Sequence, residues 1–484
     1  MEKNIEILKE IFNNDDTIIY RKFRNQANNA IRCCIIFADG MVNNEIVNEN
    51  ILQPIAANKL LKPGKDIIDN LQYGVIIAND VKKTADVYKV VESIINGDTA
   101  LLVENEKESL IINTKGWQSR SITEPETEKA LRGPREGFTE SLMINLTLIR
   151  RKLKTPDLKF NFRTIGVKSQ TKACICYIDG IANKKILEEF NKRLDTIEID
   201  GVLDTGYIEE LISDAPHSMF RTIGSTERPD IVAGNMLEGR IALVLDGTPF
   251  VLTVPFLFME FFQSNEDYYT NYYTASISRL LRNISFILTI SVPAIYLALT
   301  TFHQEMIPTH LLMSISAARQ DMPFPTIIEA LGMLIVFEIL REAGARMPSF
   351  IGQSLSIVGA LVIGQAAVEA RFISAPMIIV IAFSGITGLM ISKMKGAIFM
   401  LRLIFLFLAS FLGLYGFVFG ITGLLILLFE MRSFGVPYMS NLASFNPQDL
   451  KDTVIRAPWW HMKYRPKFIT ARNKIRNASG GRKL

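Results

Sequence analysis

Histidine and cysteine are scarce, with four of each in 484 residues, and tryptophan is scarcer still at three. His217, His303, His310 and His461 are scattered, so no metal-ligating spacing arises. The cysteines lie in two β-like runs, RCCIIFADG and KACICYIDG, as Cys33-Cys34 and Cys174-x-Cys176 rather than the C-x₂-C pairs of a zinc site. They read as small buried hydrophobes, and neither a metal nor a cofactor is expected. Phosphate-binding glycines are missing too: Gly133-Pro134-Arg135-Glu136-Gly137 has neither the P-loop nor the Rossmann register. The net charge of +4 is too mild to predict a nucleic-acid partner. No basic stretch followed by an apolar core opens the chain (MEKNIEILKEIFNNDD), which argues against a cleavable signal peptide and predicts a cytosolic first half. No nucleophile with a base, paired carboxylates or metal cluster is evident, so an enzyme is not expected.

Hydrophobic residues make up 49% of the chain, but unevenly. To about residue 240 the sequence is charged and globular in character; from about 280 to 430 it is a series of apolar runs. The first half carries a duplication. Cys34-Ile-Ile-Phe-Ala-Asp39-Gly40 recurs as Cys174-Ile-Cys-Tyr-Ile-Asp179-Gly180, each followed by an amphipathic stretch (NEIVNENILQPI and NKKILEEFNKRL). Ile95-Asn-Gly97-Asp-Thr-Ala100 matches Leu237-Glu-Gly239-Arg-Ile-Ala242, and each leads to a further apolar strand. Two copies of one α/β unit are predicted, with Asp39 and Asp179 as turn residues rather than catalytic ones. Between the copies, residues 133–154 are predicted as a helix, with Phe138, Leu142, Leu146, Ile149 and Leu153 on one face from 138 on. Glu136 and Glu140 stand at its start and Arg150, Arg151, Lys152 and Lys154 at its end, opposing the helix dipole.

In the second half, residues 280–302, 350–370 and 375–392 are long enough and apolar enough to cross a bilayer. Residues 325–340 carry Glu329 and Glu338 and either cross or lie in the interface. Residues 403–429 are longer than one crossing and break at Gly413-Leu-Tyr-Gly416, as a kinked helix or a hairpin with halves of about 12 residues. Basic clusters at Arg279 and Arg282, at Arg341 and Arg346, at Lys393 and Lys395, and in the tail (Lys463, Arg465, Lys467, Arg472, Lys474, Arg476, Arg482, Lys483) all face the cytosol by the positive-inside rule. Both termini are then inside. Six crossings satisfy every cluster, and four spans with re-entrant pieces remain the alternative. The fold class is thus an α/β soluble N-terminal half of two duplicated subdomains plus an α-helical multi-pass transmembrane domain.

Polar residues inside a membrane are costly and point to function. Along 350–370, Gly352, Ser356, Gly359 or Ala360, and Ala367 form a small-residue face suited to close helix packing. Another face carries Val358, Val362, Gln365 and Glu369, a stripe that suits a cation pathway built from several copies. The competing reading is that Gln365 and Glu369 merely satisfy polar partners near a helix end.

GPREGFTESLMINLTLIRRKLK, ERPDIVAGNMLEGRIALVLDGTPFVLTVP, FFQSNEDYY, TTFHQEMIPTHLL, PFPTIIEALGMLIVFEILREAGARMP and IGQSLSIVGALVIGQAAVEA together resemble the A subunits of GerA-type spore germination receptors. TTFHQEMIPT and EILREAGARMP resemble them better than the related F protein of the SpoVA operon. The resemblance implies a multi-pass protein of the inner spore membrane that acts with a permease-like B subunit and a lipoprotein C subunit. It also implies a homo-oligomer, as a pentamer, that conducts monovalent cations. The expected division is 1–130 and 157–262 as cytosolic α/β subdomains, 131–156 as a connecting helix, 263–432 as the membrane domain and 433–484 as a basic cytosolic tail. A membrane-anchored scaffold and a secondary transporter are the alternatives; the second is disfavoured because no inverted repeat is found in the apolar half.

Overall fold

The computed structural model describes residues 1–61, 64, 66–116, 125, 128, 132–347, 359, 362–440, 452–466, 468–470, 475 and 476. Strand β2 (Arg32–Ala38) holds the first cysteine pair and is buried at six of its seven residues, as a strand covered on both faces should be. It pairs with β1 (Ile18–Arg24) and β4 (Thr99–Val103), and β5 (Ser109–Ile112) and β3 (Val81–Thr84) complete an antiparallel sheet of order β1-β2-β4-β5-β3. A second sheet, from β6 (Leu158–Ile165), β7 (Thr171–Ile178), β8 (Gly224–Thr226), β9 (Ile241–Leu245) and β10 (Val251–Val254), has the order β6-β7-β9-β10-β8. Register repeats as well: Cys34 faces Leu102 and Cys174 faces Val244. Each β2-type strand ends in the same turn, with Gly40 and Gly180 at positive φ and their amides donating to Asp39 Oδ1 and Asp179 Oδ1 at 2.9 Å. That is turn chemistry at both aspartates.

The copies differ in the helix that follows. In the second it is α-helical, Lys184–Asp195, capped by Asn183. In the first, Ile46–Leu52 winds as a π-helix into Gln53–Ala57. Pro54 has no N–H to give the Asn50 carbonyl, which instead accepts from the Ile77 amide at 3.3 Å.

The helix between the copies runs Leu142–Lys152, four residues later than the periodicity predicts. Two competing bonds stop it growing backward: the Phe138 amide donates to the Glu227 carbonyl and the Asn145 side chain takes the Thr139 amide, both at 2.8 Å. Glu136, expected at the helix start, instead pairs with Arg151 and Lys152 at its end, at 3.4 and 3.0 Å.

The second half is helical. Asn271 caps a first long helix, Tyr272–Thr301, which begins eight residues before the apolar run at 280. Helices Thr309–Arg319, Thr326–Arg346, 362–369 and Ala375–Leu389 follow. Lys395–Glu430 reverses at Gly413 (φ 59°, ψ −137°). Phe405 and Phe417, far apart on a straight helix, lie with ring centroids 5.6 Å apart, so this segment is a helical hairpin. A Cβ on Gly416 would fall 2.0 Å from the Leu408 carbonyl oxygen, so only glycine fits at the reversal. Its legs, reaching back to Lys395, are about 27 and about 26 Å long, longer than the 12-residue halves expected.

Contacts set the helix directions. Ser374 meets Glu329, Thr387 meets Thr289, and Gly413 lies against His303 just past the first long helix. Tyr272–Thr301 and the first hairpin leg therefore run away from the sheets, while Thr326–Arg346 and Ala375–Leu389 run toward them. An aromatic cluster of Phe258, Phe262, Phe286 and Tyr438 joins the two halves. After the hairpin the chain returns to the second sheet. The two-residue strands Arg432–Ser433 and Val436–Pro437 dock there through Ser433 Oγ on the Thr222 carbonyl and the Phe434 amide on Asp214, both at 2.7 Å. The tail bridges Thr470 to Ala182 and Arg476 to Glu238.

Candidate functional site

Two helices, Tyr272–Thr301 and Ser392–Glu430, are long and apolar enough to cross a membrane among the described residues. The second is the reversed hairpin, so each leg counts separately. Between them lies the segment that carries the candidate stripe. Val358 falls outside the described residues, as do Gly352, Ser356 and Ala360 of the packing face. Val362 is 57% exposed, and Gln365 and Glu369, one and two turns further along the same face, are exposed too. Gln365 Nε2 donates to Glu369 Oε1 at 2.9 Å. On the opposite side Gly364 is buried against Ile378. Three residues before Val362, a Cβ on Gly359 would lie 2.9 Å from Leu340 Cδ2. Ala367 is half-buried. Within one chain, then, small residues face the neighbouring helices and the Val362, Gln365 and Glu369 stripe faces outward. Arg371, in the left-handed region, ends this helix, and the Phe372 amide returns to the Ala367 carbonyl at 3.0 Å.

Two buried polar centres tie the surrounding helices together. In the first, Glu329 is fully buried and accepts the Ser374 amide and hydroxyl at 2.9 and 2.8 Å, which fixes the start of Ala375–Leu389 against Thr326–Arg346. The second follows from Pro293 inside the first long helix. Pro293 cannot donate to the Thr289 carbonyl one turn back. That carbonyl accepts instead from Ser384 Oγ at 2.9 Å and Arg402 Nε at 3.4 Å, while Arg402 Nη2 donates to the Ser384 carbonyl. Thr289 Oγ1 also bonds Thr387 Oγ1 at 2.8 Å. Three helices are thus tied through one proline-freed carbonyl, the means by which broken helices are satisfied in apolar surroundings. Sequence reasoning assigned Arg402 no role and missed this centre. The signal was Pro293 with a serine and an arginine in other apolar runs.

A third polar centre joins the helices to the sheets. Arg279 is fully buried and donates to Asp267 at 3.0 Å and Asp452 at 2.8 Å, and Arg282 adds a 2.5 Å contact to Asp267. Burial pushes the Asp452 carboxyl up, and the Arg279 guanidinium pulls against that shift. Beside it, Asp230 accepts from Arg228, Tyr269 and Asn265. The cysteines take no part in these centres: burial pushes the Cys33 thiol up to about 12, so it is an inert packing group. No group of three or more His, Cys, Asp or Glu side chains suited to a metal occurs among the described residues.

Residues 6–468 match the family described as Bacillus/Clostridium GerA spore germination protein. The chain is 41% identical over 485 residues to spore germination protein KA of Bacillus subtilis (strain 168), covering 100% of this chain and 89% of that protein. It is 42% identical over 468 residues to the uncharacterized membrane protein YfkQ of the same strain, covering 96% and 90%. It is also similar, at 34% identity, to the crystal structure of the N-terminal domain of the A subunit of the Bacillus megaterium spore germinant receptor GerK3. That match covers 53% of this chain and 95% of that one, with a TM-score of 0.42.

Proposed function

This chain belongs to the Bacillus/Clostridium GerA spore germination protein family, and from that premise we propose that it is the A subunit of a nutrient germinant receptor. In this reading it sits in the inner spore membrane with B and C subunits and assembles into a homo-oligomer, as a pentamer, that conducts monovalent cations. Residues 1–130 and 157–262 are paired cytosolic lobes joined by 131–156, residues 263–432 the membrane domain, and 433–484 a basic cytosolic tail.

The observation that carries the pore reading is the outward stripe. An amide and a carboxylate on the free face of a membrane helix are costly unless that face meets water or other copies of the chain. Gathering the stripes around one axis removes the cost. Val362 then forms an apolar constriction, and Glu369, about 10 Å further from the lobes, a ring of carboxylates near the far mouth. The alternating helix directions support six passes with both termini on the lobe side. The Arg279, Asp267 and Asp452 network, where lobe, tail and first long helix meet, is the route by which lobe movement reaches the bundle. Monovalent-cation flux from the purified chain in liposomes tests the reading. Well-assembled oligomers that leave the liposomes ion-tight would favour a scaffold.

A further inference from the structure

At the joint between the second lobe and the foot of the hairpin lies a half-open cleft of about 580 Å³. Arg221, Phe250 and Phe261 line one side and Lys393 and Lys395 the other. Much of the charge on its walls is already matched. Arg228 is held by Asp230 at 2.8 Å, and the Glu128 carboxylate takes the Thr226 hydroxyl and the Glu227 amide. Arg221 lies 3.4 Å from Glu209. The two lysines are not matched. Lys393 makes one long contact, 3.4 Å to the Gln263 carbonyl, and Lys395 makes no hydrogen bond or ion pair among the described residues. The wall carboxylates are Glu128 and Glu266, against the four wall cations Arg221, Arg228, Lys393 and Lys395, and neither lysine is ion-paired with one, so two cations stay open to a ligand beside apolar walls.

We propose that this cleft binds the phosphodiester headgroup of an anionic phospholipid from the leaflet that faces the lobes. The proposal rests on the reading that the hairpin sits in the bilayer. Lys393 and Lys395 immediately precede the apolar leg and so lie at headgroup depth, where a basic pocket beside membrane helices selects anionic lipid. Each lysine contributes about fivefold in affinity, about 30-fold for both. A headgroup seated there touches lobe and hairpin foot at once and holds the two together.

The test uses the purified full chain, first floated with phosphatidylcholine vesicles and then titrated in detergent with short-chain phosphatidylglycerol, short-chain phosphatidylcholine or inorganic phosphate while thermal unfolding is followed. The proposal predicts flotation. It also predicts a rise in Tm with phosphatidylglycerol alone, affinity about 30-fold weaker in Lys393→Gln/Lys395→Gln, and retained affinity in Lys393→Arg/Lys395→Arg, which controls for folding. Equal protection by phosphatidylcholine, or by the doubly neutral variant, overturns it. Equal protection by inorganic phosphate assigns the cleft to a soluble phosphate and overturns the lipid source. A chain that floats but shows no selectivity refutes this proposal and leaves the membrane reading standing; a chain that does not float refutes both.

Discussion

Arg150 Nη2 donates to Asp15 Oδ2 at 2.7 Å across 135 residues of sequence, and both side chains are buried. The guanidinium also bonds Thr17 Oγ1 at 2.7 Å and stacks 4.7 Å from the Phe160 ring centroid. One arginine in the helix between the sheets thereby locks the loop before β1 to an edge strand of the second sheet. Arg150→Ala leaves the Asp15 carboxylate buried without its cation and is expected to cost about 3–5 kcal/mol, since an uncompensated buried charge is the expensive outcome. Thermal unfolding of the full chain measures it. A paired Asp15→Ala change should recover much of that loss, and simple additivity of the two losses would contradict the coupling.

Pro293 and Ser384 should show the opposite of additivity for a different reason. Ser384→Ala leaves the Thr289 carbonyl only its long bond to Arg402, a loss of about 1–3 kcal/mol. Pro293→Ala restores an in-helix donor to that carbonyl. Ser384→Ala should therefore be much milder in the Pro293→Ala background than in the natural chain. Equal penalties in both backgrounds would separate the serine from the proline.

The duplication was legible because both copies keep their strand-then-Asp-Gly pattern, and the turn at Gly40 and Gly180 needs only local sequence. The hairpin reversal was legible for the same reason, at Gly413 and Gly416. Long-range partners were not. Arg150 reads as a helix-end charge until the fold brings Asp15 to it, and Arg402, one residue before the apolar run at 403, has no assigned role until two other helices supply carbonyls. The helix start was misread at 138 because Phe138 is buried in the same cluster as Leu142 while its amide is committed to Glu227. Of the stripe, the periodicity gave the face of Val362, Gln365 and Glu369, and nothing local says what covers it.

Asp230 predicts an acid dependence. Burial alone would raise its carboxyl, but donors from Arg228, Tyr269 and Asn265 outweigh burial and hold it below the ordinary value. A carboxyl lowered by folding adds stability that is present above its unfolded value of about 3.9 and is lost as pH falls through the folded value. Asp230→Asn should cost about 1–3 kcal/mol near neutrality. The gap from the natural chain should hold from pH 7 to about 5 and close below about 4. A gap that instead widened on acidification would show that burial dominates.

The tail pairs with the second lobe through Thr470 and Arg476. A cysteine tag after Leu484 is expected to react only from the side that holds the lobes. Labelling from the opposite side would rule out an even number of crossings.

The central claim is that Val362 and Glu369 line a shared ion path. Monovalent-cation release from spores carrying each variant, normalised to the amount of subunit, tests it most directly. Val362→Ala widens an apolar constriction and should release ions without nutrient, because a dewetted gate depends on its apolar lining and narrow radius. Glu369→Gln keeps the shape and loses only the charge, so nutrient-triggered release should slow several-fold at unchanged subunit level. Normal nutrient-dependent release in both variants would contradict the pore assignment.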